Sequence, residues 1–241
     1  MFSFRVSPML CNDVMVELRQ MADPTVARGL SRFGWPTEKA LGITAPKLRA
    51  LAKRIGKNQA LSLKLWTAGL LEARVLAALV GEPDEVTKRQ MTLWARDFDS
   101  WGVCDACCGV LFVHTPQAME MAFRWSCDKK EYVKRAGFAL MASMAVHQKF
   151  LDDREFVPML RAIREQSADE RGFVKKAINW ALRQIGKRNL HLNTLAVETA
   201  TRIQFLNSPA ARWVASDALR ELRSDAVQRR LKEKLKRHNS Q

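Results

Sequence analysis

Amphipathic helical segments follow one another along almost the whole of this 241-residue chain, and no four-residue strand alternation flanked by turn chemistry interrupts them. Glycine and proline number only 11 and 8, and they fall between the segments far more often than inside them. The spacing predicts helices at 7–21, 24–33, 45–56, 59–67, 70–81, 83–96, 101–113, 116–126, 130–147, 154–166, 170–188, 191–203, 208–222 and 224–237. Many short helices joined by short loops leave two architectures, a globular bundle or a solenoid of stacked helical pairs. Segments opening near Leu70, Trp101, Lys130 and Glu170 recur at separations of about 30 to 40 residues, the interval of helical repeats, which favours the solenoid.

The faces of these helices are not equally simple. In Phe173 to Arg188, at about 100° per residue, Val174, Ala177, Ile178, Ala181, Leu182 and Ile185 form an apolar stripe. Lys176, Trp180, Arg183 and Lys187 share the opposite line, so a large aromatic stands among cations where the core has no use for it. In Trp101 to His114, Val103, Cys104, Cys107, Val110 and Leu111 form the stripe, while Trp101, Asp105 and Gly109 point elsewhere. In Lys130 to His147, Val133, Ala136, Leu140 and Met144 form the stripe and Arg135 points away, with Ala139 and Ala142 beside it leaving room for a close approach. Stacking such helices would present Trp101, Asp105, Arg135 and Trp180 on one concave surface.

Charge narrows the partner. Forty Lys and Arg against 25 Asp and Glu give a formal net charge of +15 and a pI near 10.1, which favours nucleic acid or an anionic membrane surface. No stretch approaches the roughly 20 apolar residues of a membrane span, so no membrane partner is expected. The opening MFSFRVSPML is too short and too weakly apolar for a secretory signal, and five cysteines, an odd number, do not make an extracellular disulfide framework; a cytoplasmic location is expected. Cys104 and Cys107 form a C-x-x-C, but with no second pair at ligand spacing and both on the apolar stripe they read as packing residues. No Gly-rich phosphate loop follows a strand, and neither cofactor nor metal is expected. Histidines at 114, 147, 191 and 238 offer no triad.

FDSWGVCDACC (98–108), YVKRAGFALMA (132–142) and FVKKAINWALRQIGKRN (173–189) resemble the DNA alkylation repair enzymes, the AlkD-type glycosylases built from HEAT-like repeats. The resemblance runs from about Gly42, through GITAPKLRALAK, to about Ala218. It implies an all-α, single-domain solenoid over 1–222 with a concave basic DNA-binding surface, followed by a basic C-terminal helix or tail at 223–241. It places the family's Trp-x-x-x-Asp pair on Trp101 and Asp105, its arginine on Arg135 and its second tryptophan on Trp180. Glu72 and Arg74 match a Glu-x-Arg helix and read as structural. The aromatic that some members contribute from their N-terminal helices has no counterpart at Ala27, Arg28 and Gly29.

The chemistry follows from the lesion. An N3- or N7-alkylated purine is cationic and leaves as a neutral base, so no general acid is needed, unlike a neutral acetal. One carboxylate, Asp105, can stabilise the oxocarbenium-like sugar and orient water, and Trp101 and Trp180 can line the cationic nucleotide. Arg135 either grips a phosphate or pairs with an acid on the next repeat, and Asp105 is alternatively a solvated surface acid or the partner of a nearby cation. Lys175, Lys176, Arg183, Lys187 and Arg188 are expected to contact DNA, while Trp35, Trp66, Trp94, Trp125 and Trp213 are expected to pack. The basic run at 229–238 is either a solvated helix end or a source of salt-sensitive affinity. The partner implied is double-stranded DNA with alkylated bases, met by a monomer that hydrolyses the N-glycosidic bond and, lacking a lysine nucleophile in the set, does not cut the backbone. A solenoid that binds damaged, bent or branched DNA without catalysis remains the alternative, with a protein scaffold behind it.

Overall fold

A computed structural model describes residues 10–33, 35 and 37–239, and every regular element among them is helical. Fourteen α-helices follow in order: α1 (Cys11–Gln20), α2 (Pro24–Gly29), α3 (Ala45–Ile55), α4 (Gln59–Thr67), α5 (Leu71–Val80), α6 (Lys88–Arg96), α7 (Trp101–Val110), α8 (Ala118–Ser126), α9 (Glu131–His147), α10 (Phe156–Gln166), α11 (Gly172–Gly186), α12 (Leu190–Gln204), α13 (Pro209–Leu222) and α14 (Asp225–Asn239). Residues 7–9 of the first expected helix lie outside the described residues.

Many starts are set by local chemistry. Asn58, Thr87, Ser100, Asn189 and Ser208 each accept a backbone N–H three residues on, and Asp23 accepts from both Thr25 and Val26 ahead of Pro24. The expected helix at 83–96 is divided for this reason. A single 3-10 turn covers Pro83–Glu85, Val86 is extended, and Thr87 caps a new start at Lys88.

Helices α3, α5, α7, α9, α11 and α13 pack successively into one layer, and α8, α10 and α12 run together in a second layer behind them. The apolar stripes close the space between: Val103, Cys104, Cys107 and Leu111 of the α7 segment and all six stripe residues of α11 are fully buried. Burial drives the thiols of Cys104 and Cys107 well above the ordinary range, so both behave as the small core hydrophobes that their stripe position predicts. Trp66 and Trp94 stack 3.9 Å apart in the same core, and Trp125 is buried beside Phe112.

Helix α9 departs from the amphipathic reading. Every residue from Val133 to Ala145 is buried, because α7, α8 and α11 cover it on three sides. Ala139 and Ala142 therefore leave room for neighbouring helices and not for a ligand. Gly137 has the same cause, since a Cβ there would stand 2.5 Å from the Ser126 nitrogen of α8.

Candidate functional site

Three neighbouring helices of the first layer, α7, α9 and α11, build the site from their N-terminal halves to the middle of α11. Ser100 caps α7, making Trp101 the first helical residue and setting Asp105 one turn deeper on the same side. Arg135 holds the corresponding depth on α9, and α11 supplies Phe173, Lys176 and Trp180. With Arg32 these residues line a cavity of about 540 Å³, so the four side chains expected on one surface do meet there.

Arg135 is buried, and its guanidinium is committed to the protein. Its Nε donates to Asp105 Oδ1 at 2.9 Å, Nη2 to Asp105 Oδ2 at 2.7 Å and Nη1 to the Phe173 carbonyl at 2.7 Å. Of the two sequence readings of Arg135 the structure has the ion pair and not a free phosphate grip, but the acid is that of the preceding repeat and not of the next, held in a bidentate pair with the Arg135 side chain 8% exposed and Asp105 22%. Burial raises the Asp105 carboxyl above its ordinary value of 3.8, and the charge and hydrogen bonds of Arg135 offset only part of that rise. Arg135 is itself held above its ordinary value, because Asp105 outweighs the opposing effect of burial. The result is one oriented carboxylate of raised basicity at an aromatic wall.

That wall has a backing whose position the sequence did not show. Trp35 packs, as expected, and its partner is Trp101, to which it stands edge-on with ring centroids 5.1 Å apart. Gly102 is what lets the indole in, since a Cβ there would lie 2.3 Å from Trp35 Cζ2. Phe173 and Tyr132 pair at 5.4 Å beside Arg135. A sequence signal for this pair existed, because Trp101, Tyr132 and Phe173 all fall within the first two residues of α7, α9 and α11.

The expected DNA-contacting cations divide. Lys176 is exposed at the cavity. Lys175 instead lies 5.5 Å over the Trp213 ring, and Trp213, expected to pack, is 41% exposed. Arg183 and Lys187 both bond Glu221 on α13, the latter at 2.6 Å. Arg188 donates to the carbonyls of Ala145, Lys149 and Leu151 and covers Phe156. Arg183, Lys187 and Arg188 are engaged inside the protein because α13 brings Glu221, and the end of α9 with the loop after it brings carbonyls, to cations expected to face DNA.

Glu72 and Arg74 are structural, as their pattern suggested. Buried Glu72 accepts from the nitrogens of Leu41, Gly42 and Ile43 at 2.8, 2.7 and 3.2 Å, tying the segment before α3 to α5. Arg74 donates to the Asp97 carbonyl at 3.1 Å and lies over Trp66. Among the described residues no cluster of His, Cys, Asp and Glu is arranged to hold a metal, and no helix is long and apolar enough to cross a membrane.

The stack of helical pairs that brings an arginine-clamped carboxylate to an aromatic wall is a HEAT-like repeat architecture. The chain belongs to the DNA alkylation repair enzyme family, whose model matches residues 14–222. Its fold is similar to that of a protein from a family related to the HEAT-like repeat DNA glycosylases with affinity for branched DNA structures, at 19% identity and a TM-score of 0.72 over 88% of this chain and 95% of that one. A designed armadillo repeat protein in complex with a (KR)4 peptide matches at 14% identity and a TM-score of 0.38, over 88% of this chain and 98% of that one. No curated protein matches the sequence.

Proposed function

We propose that the protein is a monofunctional DNA glycosylase that hydrolyses the N-glycosidic bond of cationic N3- or N7-alkylpurines in duplex DNA and leaves an abasic site. The observation that carries this reading is the Asp105 carboxylate, held by both oxygens to Arg135 in a cavity walled by Trp101 and Trp180. The lesion base departs neutral, so one carboxylate is enough. As the glycosidic bond lengthens, positive charge develops on the sugar, and a fixed anion in partly desolvated surroundings stabilises it without reorganising. The raised proton affinity of Asp105 suits it to accept a proton from the attacking water. Trp101 and Trp180 offer π faces to the cationic nucleotide, each contact contributing about 0.5 to 2 kcal/mol according to desolvation. In this reading Arg135 is a positioning residue that fixes the carboxylate, and Lys176 neutralises a phosphate at the mouth.

A binding reading, in which the solenoid recognises damaged or branched DNA without cleaving it, is favoured by one feature. The Arg135–Asp105 pair is complete without any ligand, as a purely structural ion pair would be. Chromatography of bases released from methylated duplex DNA separates the two. The glycosylase reading expects free alkylpurine from the wild type and a rate lower by orders of magnitude for Asp105→Asn at undiminished DNA affinity. Binding with no base released by the wild type would leave only the second reading.

A further inference from the structure

The line of α11 that carries Lys176 and Trp180 continues one turn further to Gln184, then to Lys187, and there it enters a second cavity, of about 970 Å³. This cleft lies between the C-terminal ends of α9 and α11 and helix α14, which is docked through buried Val227 and Leu231. Its charge is one-sided. Lys149, Lys187, Arg188, Arg230 and Lys234 line it against two acids, Asp152 and Asp153. Asp152 is paired with Arg154, whereas Asp153 accepts from the neutral amide of Asn189 and contacts His191, so its charge still acts on Arg188. Lys187 is balanced by Glu221, whereas Arg188 donates to main-chain carbonyls. Lys149, Arg230 and Lys234 have no carboxylate within ion-pair distance among the described residues.

The fold gathers these cations at a cost. Lys234 donates to the carbonyls of Lys187 and Arg188 at 3.0 and 3.3 Å, which pins its charge at the end of α11. Its ammonium is pulled below the ordinary range, first by burial and then by the charges of Arg230, Lys149 and Arg188. Like charges from the segments that follow α9 and α11 and from α14 therefore face one another over a cleft whose cations outnumber its acids, and an anion would relieve that repulsion.

We propose that this cleft is a second phosphate-binding site, which holds backbone phosphodiesters of the same DNA beyond the carboxylate cavity. That one DNA meets both cavities rests on the function proposed above; the capture of DNA phosphate does not. Helix α14 is then part of the DNA-binding surface and closes one side of the cleft.

The experiment is fluorescence anisotropy with an unmodified duplex across a salt series, so base release plays no part in the readout. Lys149→Glu and Arg230→Glu remove exposed side chains that make no side-chain hydrogen bond, and circular dichroism checks that each variant remains folded. Lys64→Glu, on exposed α4 surface, controls for the same change in net charge. The expected result is weaker binding by both cleft variants, with the slope of log K against log salt shallower by about 0.9 for each phosphate that the variant no longer neutralises. Wild-type affinity and slope in both cleft variants would overturn the proposal, as would an equal loss in Lys64→Glu.

Discussion

Replacing Arg135 by glutamine tests whether the clamp sets the acidity of the site. In the folded protein burial already lifts the Asp105 carboxyl above 3.8 while Arg135 pulls it back. Loss of the opposite charge should raise Asp105 further, and removing one partner of a buried ion pair costs about 3 to 5 kcal/mol in all. The sign follows from proton linkage. Below the wild-type folded pKa of Asp105 the carboxyl is protonated in both folded proteins, and the variant suffers only the loss of the bond to the Phe173 carbonyl, about 1 kcal/mol. As pH rises from there through the variant's higher pKa, its carboxylate must ionise without a counter-ion, and the deficit grows to its full value. Urea unfolding of wild type and Arg135→Gln from pH 4 to pH 8 should therefore show a gap that widens with pH. The same series on Arg135→Gln with Asp105→Asn should show no widening, because nothing is left to ionise. A gap constant with pH in the single variant, or one that still widens in the double, would refute the reasoning.

Three other outcomes follow from the geometry. Gly102→Ala sets a Cβ into the Trp35 ring, so the indole must shift from Trp101; a loss of about 1 to 3 kcal/mol in thermal unfolding and an altered near-UV circular dichroism signal are expected. Glu72→Gln removes the charge from three backbone hydrogen bonds and turns an amide donor toward N–H groups, costing about 1.5 to 3 kcal/mol by chemical denaturation. Asp169 is held far below its ordinary value, first by hydrogen bonds from Arg171 and also by Lys134, so its contribution is complete above 3.8 and is lost as pH falls toward the depressed value; Asp169→Asn should flatten the acid limb of a stability profile measured below pH 4.

What the sequence revealed and what it hid have separate physical causes. Helix positions were legible because caps such as Ser100 and Asn189 and the stripes of α7 and α11 are local features, and local chemistry decides them. Trp101, Asp105 and Trp180 were legible because each stands off its own helix's stripe, which periodicity reads directly. Pairing between repeats is not periodic. The sequence left Arg135 open between a phosphate and an acid because the α9 sequence alone does not reveal that α7 and α11 cover its second side, and helical spacing does not say that the acid stands 30 positions earlier. The same holds for Arg183 and Lys187, whose basic line proved to face Glu221, and for Trp213, which faces Lys175 and solvent. Trp35 was hidden for another reason, since it reaches Trp101 from outside any α-helix, where helical spacing carries no information.

The central claim is that one arginine-clamped carboxylate is sufficient to release a cationic base, and single-turnover release of 7-methylguanine and 3-methyladenine from methylated duplex DNA tests it most directly. The account predicts release of free base by the wild type, a rate lower by orders of magnitude in Asp105→Asn at equal DNA affinity, and an acid limb of the pH profile lying above the ordinary carboxylate value. Undiminished release by Asp105→Asn would contradict it, and so would a wild-type protein that binds the same duplex over a range of salt and releases no base.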